Sequence, residues 1–154
     1  MPITVMEHTG ADSRYLHRDF HLILNRAMQD VGQRYGEDGV RAWIRSYAIR
    51  RFSPMTMEEL QAYFQSVYRN EEAGHLLQAE QRSSCLRVRI AACPAVRYIR
   101  EQGEAPCPWY VHTVQTLYAT IAEICGFGYA LDRYDPQTGA AEMRFFADGK
   151  EERT

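Results

Sequence analysis

Midway along this chain the spacing of its apolar residues changes, and that change limits the fold more than any other feature. Over residues 15–35, Leu16, Phe20, Ile23, Leu24, Ala27, Val31 and Tyr35 recur at three- and four-residue steps, the pattern of one apolar helical face. Gly36 supplies the stop. A second helix is expected over 37–52, with Val40, Trp43, Ile44 and Tyr47 on one face and Ser53-Pro54 beyond it. A third opens at Thr56-Met57-Glu58-Glu59, where Thr56 and Glu59 match a capping box. Its stripe is Leu60, Tyr63, Phe64 and Val67, and Gly74 closes it.

From Cys85 onward the period is two. "CLRVRI" sets Leu86, Val88 and Ile90 on one face and Arg87 and Arg89 on the other, as a half-buried strand requires. "HLLQAEQR", residues 75–82, is the candidate antiparallel neighbour. Two helices are expected next, a short one from Pro94 to Gly103 and a longer one over 108–125. In "YALDRYDPQTGAAEMRFF" two alternating runs flank Asp135-Pro136-Gln137-Thr138-Gly139, which is turn chemistry with Gly139 available for a left-handed position. The order predicts an α+β domain: three N-terminal helices, then ββααββ, with a four-stranded antiparallel sheet and helices packed on one face.

The 154 residues suit one domain (1–154, with an ordered core of about 15–147), large enough to bury a core without staples. A net charge of −2 gives no reason to expect a nucleic-acid partner. Arginine carries nearly all the positive charge, Lys150 being the lone lysine, and arginine is the better bidentate partner for carboxylates. No apolar run approaches the roughly 20 residues of a membrane span. "MPITVMEHTGADSR" has neither the basic start nor the apolar core of a signal peptide. Four cysteines in such a chain read as free thiols in a reducing compartment, so a cytoplasmic protein is expected.

Two of those cysteines stand directly before proline, at Cys93-Pro94 and Cys107-Pro108. Proline is favoured in the first turn of a helix, which makes Cys93 and Cys107 candidate N-caps. A thiol there faces free amide N–H groups and the positive end of the helix dipole, which favour the nucleophilic thiolate. The plainer alternative is a small half-buried residue with proline as punctuation. If the strand continues regularly, Cys93 shares its face with Arg87 and Arg89, a setting suited to attack on an anionic substrate. Cys85 reads as strand filler and Cys125 as core.

In "YLHRDFHLIL", His17 and His21 are four apart and share a helical face, His17 inside the apolar arc and His21 at its edge. Either can act as a general base, or both can hold a metal. A buried, hydrogen-bonded histidine is the commoner case. Asp19 is either a supporting carboxylate or solvated. His112 projects away from the stripe of its helix, so it is either a surface histidine or the border of a pocket shared with Cys93. His8 and His75 have no evident partner.

"HRDFH", "ACPAVRYIREQG", "CPWYVHTVQTLYATIAE" and "YDPQTGAAEMRFF" together resemble the L-2-amino-thiazoline-4-carboxylic acid hydrolase-like family of small bacterial proteins. The similar segments span most of residues 15–146, in matching order and spacing. The resemblance implies ring-opening hydrolysis of a cyclic amidine, 2-amino-thiazoline-4-carboxylate, to N-carbamoyl-cysteine. It carries over to His17, His21, Cys93 and His112, with Cys107 less firmly attached.

The leading expectation is a hydrolase of a non-peptide C–N bond in a small cyclic, carboxylate-bearing substrate. Cys93 would be the nucleophile, His21, His112 or His17 would move protons, and Arg87, Arg89 or Arg97 would bind the carboxylate. No cofactor is required by this reading. In its variant, His17, His21 and Cys93 hold a divalent metal such as zinc or manganese that activates water. The rival expectation is a non-catalytic small-molecule-binding or assembly domain, with the arginine face as solvated surface or a homo-oligomer contact. A lyase or isomerase on the same scaffold is the third.

Overall fold

The computed structural model describes residues 13–147, with side chains from residue 18 onward. The side chain of His17 and all of His8 therefore lie outside the described residues. Helix α1 (Ser13–Arg51) contains both of the first two expected helices. Its backbone leaves helical geometry at Gly36 (φ 73°, ψ −172°), a conformation that glycine adopts without strain. The expected stop is present, but the helix resumes at once.

The face that α1 buries matches the expected apolar stripe only in part: Val40 and Ile44 are buried as expected, but other members of the stripe are not. Phe20, Ile23, Tyr35 and Tyr47 are 52%, 61%, 70% and 43% exposed. The buried line runs through Asn25, Met28 and Gly32 in the first half and through Val40, Ile44 and Ala48 in the second. Two specific contacts fix it. The Asn25 side-chain amide donates to the Ala105 carbonyl and its Oδ1 accepts from the Cys107 N–H, at 2.9 and 2.8 Å. At Gly32 a Cβ would lie 2.3 Å from the Trp109 ring, so only glycine admits that indole.

Helix α2 (Met57–Asn70) opens with the expected capping box. Glu59 N–H donates to Thr56 Oγ1 and Thr56 N–H to Glu59 Oε1, both at 3.1 Å. Leu60, Phe64 and Tyr68 form its buried face. The chain leaves α2 through Glu72, a non-glycine residue at φ 56°, and then makes a 3₁₀ turn over Gly74–Leu76.

Strands β1 (Leu77–Arg82), β2 (Cys85–Ile90), β3 (Gly128–Tyr134) and β4 (Ala141–Phe146) form one antiparallel sheet in the order β1-β2-β4-β3. Leu86, Val88 and Ile90 face the core beside Met143 and Phe145, as the alternation requires. On the open face the register pairs Glu80, Arg87 and Arg144 across three strands, and likewise Gln78, Arg89, Glu142 and Arg133 across four. A bulge between Leu131 and Arg133 frees Asp132 to hold Arg144 with two bonds of 2.6 and 2.7 Å.

Between β2 and β3 lie α3 (Pro94–Glu101), a 3₁₀ turn (Tyr110–Thr113) and α4 (Gln115–Cys125). The long helix expected over 108–125 is thus divided, and only its second part is α-helical. One core cluster joins α2, α4 and the sheet, and a second joins α1, α3 and the 3₁₀ turn. No helix among the described residues is long and apolar enough to cross a membrane.

Candidate functional site

Cys93 sits where the two clusters meet. Its backbone (φ −84°, ψ 123°) is that of an N-cap, and Pro94 takes the first helical position of α3, as the Cys-Pro pair suggests. Its carbonyl accepts from Arg97 N–H at 3.0 Å and its N–H donates to the Thr138 carbonyl at 2.9 Å. The β3–β4 turn presses on it from the other side. Gly139 has φ 72°, and a Cβ there would lie 2.4 Å from Cys93 Cβ and 2.9 Å from Val96 Cγ2.

The expectation that Cys93 shares a face with Arg87 and Arg89 is incorrect. The strand ends at Ile90 and the chain bends at Ala91-Ala92, which carries Cys93 inward while both arginines stay exposed on the open face. The expected thiolate is not its resting state either. Burial pushes the thiol above its ordinary value of 9.0, the amides of Val96 and Ala95 pull it down, and Glu71 pushes it up again. The thiol makes no side-chain capping bond of normal length, so those amides act on it as nearby dipoles. Burial prevails, and the thiol is protonated at neutral pH.

Four tyrosines are electrostatically coupled to it. Tyr68, Tyr110, Tyr118 and Tyr134 are each raised first by burial and then by the proximity of Cys93, or of Tyr63 before Cys93 for Tyr118; Tyr134 is pushed up to about 12. Beside them, at the end of α2, the Glu71 carboxylate is 6% exposed and lies 2.8 Å from His21 Nε2. Tyr98 Oη donates to Asp19 Oδ1 and Arg18 reaches Glu72 at 3.4 Å, so α1 is tied to this region at three points. Asp19 thereby supports the site instead of being solvated.

Two openings lie on either side of α3, and Cys93 is not among the residues lining either. A cleft of about 210 Å³ is lined by Arg18, Glu71, His75, Pro94, Arg97 and Tyr98, among others. A second hollow, about 350 Å³, is bordered by Cys107, Tyr110, Tyr134 and the β3–β4 turn. Thus Arg97, alone of the three candidate arginines, lines the cleft beside α3.

The chain matches no protein-family model, no curated protein and no solved structure.

His112 is neither on the surface nor among the groups that act on Cys93. It is 2% exposed, its Nδ1 lies 2.7 Å from Thr116 Oγ1, and its Nε2 lies 3.5 Å from Glu37 beside the break in α1. Because it belongs to a 3₁₀ turn, its direction differs from the one an α-helical wheel assigns. Burial lowers its pKa first, with Glu37 opposing and Arg41 assisting. Cys107 caps no α-helix; it is buried, with its N–H on Asn25 and its carbonyl on Tyr110 N–H. Cys125 Sγ accepts from Met55 N–H at 3.3 Å. Among the described residues no three His, Cys, Asp or Glu side chains are grouped to hold a metal ion, and the set His17, His21, Cys93 includes one side chain outside them.

The residues missed by the sequence reading are Glu71 and the tyrosines. Tyr68 is on the last turn of α2 and Glu71, three positions on, is its C-cap, and the chain has ten tyrosines. Those were the available signals, but only the packing of four elements gives them a common target.

Proposed function

We propose that the protein is a hydrolase of a small cyclic, carboxylate-bearing amidine, with Cys93 as nucleophile. The observation that carries this reading is Glu71, bonded to His21, which bears electrostatically on the Cys93 thiol. A neutral thiol needs a proton acceptor as it attacks, and that pair supplies one. The thiol proton passes to the pair as the S–C bond forms, and the C=N electrons move to nitrogen, which takes up the proton. The C=N bond then re-forms, the ring C–S bond to the amidine carbon breaks, and the proton on nitrogen passes to the departing ring sulfur. Water adds to the carbon bound to Cys93, that C–S bond breaks, and a proton returns to sulfur. The Ala95 and Val96 amides face the developing negative charge.

Glu71 favours a cationic amidine. Arg18 and Arg97 line the cleft together with their partners Glu72 and Glu101, at 3.4 and 3.9 Å, so a substrate carboxylate would bind there by displacing one of these pairs. Arg87 and Arg89 lie on the other face of the sheet, so the carboxylate role falls to Arg97. The resemblance to 2-amino-thiazoline-4-carboxylate hydrolases agrees with this arrangement. The test is to incubate the protein with that compound and follow ring-opened product by mass, before and after chelation. Product formation insensitive to chelation is expected. No product from this or related cyclic amidines overturns the reading, and loss of activity on chelation transfers it to the metal variant.

The raised thiol pKa favours a second reading, a pocket that holds its ligand without converting it. Calorimetric binding of the same compound without turnover would select it.

A further inference from the structure

The apolar stripe expected along α1 has members that the core does not enclose. Phe20, Leu24, Trp43 and Tyr47 line a groove of about 260 Å³, joined by Thr113 and Leu117 from the 3₁₀ turn and α4. A straight helix would hold Phe20 and Arg50 about 45 Å apart. Both border this one groove, so the break at Gly36 brings the two halves of α1 side by side. Its apolar lining is continuous with the core through Met28 and Ile44, which belong to the cluster of α1, α3 and the 3₁₀ turn. Phe20 and Tyr47 remain half exposed at its rim.

The charge at the groove has one sign. Among the described residues no acidic side chain lines it, and its one charged group is Arg50. Arg18, Arg26, Arg34, Arg41 and Arg45 of the same helix each reach a carboxylate. Arg50 does not: among the described residues its guanidinium bonds only to the Ser46 carbonyl, from Nε at 3.3 Å, which leaves its terminal nitrogens as open donors. Arg51 adds a second positive charge at the same end, its guanidinium 5.7 Å from the centre of the Tyr47 ring. We infer that this groove is a second ligand site, which takes a compact apolar carboxylate of the single-chain fatty acid class. The chain lies against Leu24, Met28, Ile44 and Leu117, where it leaves water, and the carboxylate meets the Arg50 guanidinium. The volume is just under the roughly 300 Å³ at which small-molecule pockets begin, so one chain is admitted and a diacyl lipid is not. The groove shares no lining residue with either opening beside α3, so the inference stands apart from the hydrolase reading.

The test is titration calorimetry of the full chain with decanoate and with decylamine, which carries the same chain on a cation, each below its micelle concentration. Wild type, Arg50→Gln and Phe20→Ser are compared, with sedimentation velocity and a thermal melt on each. Wild type should bind one decanoate per chain and prefer it to decylamine. Arg50 is exposed, so Arg50→Gln should melt with wild type. It should bind decanoate about tenfold more weakly, the worth of one charge-assisted hydrogen bond, and decylamine no less tightly than wild type does. Phe20→Ser should weaken both probes. Decanoate binding that Arg50→Gln leaves unchanged overturns the inference, since the anion then sits elsewhere; so does a loss that falls equally on both probes. No decanoate binding by wild type overturns it as well, including where the protein instead pellets with phosphatidylglycerol vesicles or forms a dimer that Phe20→Ser dissociates.

Discussion

His21 Nε2 and Glu71 Oε1 are 2.8 Å apart, joining the first helix to the end of the second across fifty positions of sequence. Glu71 pushes the Cys93 thiol up. Replacing Glu71 with Gln removes that charge while keeping an oxygen for His21. The midpoint of Cys93 alkylation against pH should move down in Glu71→Gln, while turnover falls because the proton acceptor is lost. Opposite responses of the two readouts distinguish this role from simple disruption, which would lower both.

Gly139 holds the β3–β4 turn against Cys93. Substituting Ala places a Cβ 2.4 Å from Cys93 Cβ and forces a side chain onto φ 72°. The backbone strain alone costs about 1–2 kcal/mol, and the collision adds to it. Chemical denaturation of Gly139→Ala should show a loss of at least that size, with altered Cys93 reactivity even where the variant remains folded.

Thr56 and Glu59 cap α2 reciprocally. Thr56→Ala should cost about 1 kcal/mol in denaturant unfolding. Because Tyr68 is on the last turn of α2 and Glu71 is its C-cap, the variant also reports whether the site depends on the whole helix or only on its last turn.

The sheet and the cap were legible in the sequence because each is a local pattern: strict alternation in "CLRVRI", and a Thr three positions before a Glu. The site was legible in part. Pro94 marked the start of α3 and so the cap position of Cys93, but the bend at Ala91-Ala92, two small residues with no periodic signal, decided which way the thiol points. His112 was misread because a 3₁₀ turn does not follow the wheel of an α-helix. The stripe in the first half of α1 misled for a different reason. Asn25 and Gly32, a polar residue and one with no side chain, fix its packing line through a hydrogen bond and a close approach that hydrophobicity does not register. Glu71 and the tyrosines come from separate elements, so no spacing rule could assemble them.

His112 is buried and its pKa lies below the ordinary 6.5. The native state therefore binds its proton less readily than the unfolded chain does. Stability from this group is complete above pH 6.5 and is lost as pH falls toward the native pKa. Urea midpoints should drop across that window in the wild type and less so in His112→Gln, where no imidazole remains to be protonated. Glu37 and Arg41 face the ring, and Glu37→Gln should steepen the drop by removing the charge that favours the protonated form.

The most direct measurement of the central claim is turnover of 2-amino-thiazoline-4-carboxylate by Cys93→Ala, with intact-protein mass recorded on the wild type during the reaction. The expected result is a wild-type mass increase at Cys93 while substrate lasts, and a loss of at least about 10³-fold in rate in Cys93→Ala. Turnover by Cys93→Ala at the wild-type rate would contradict the account, since the carbon would then be attacked by something other than this thiol.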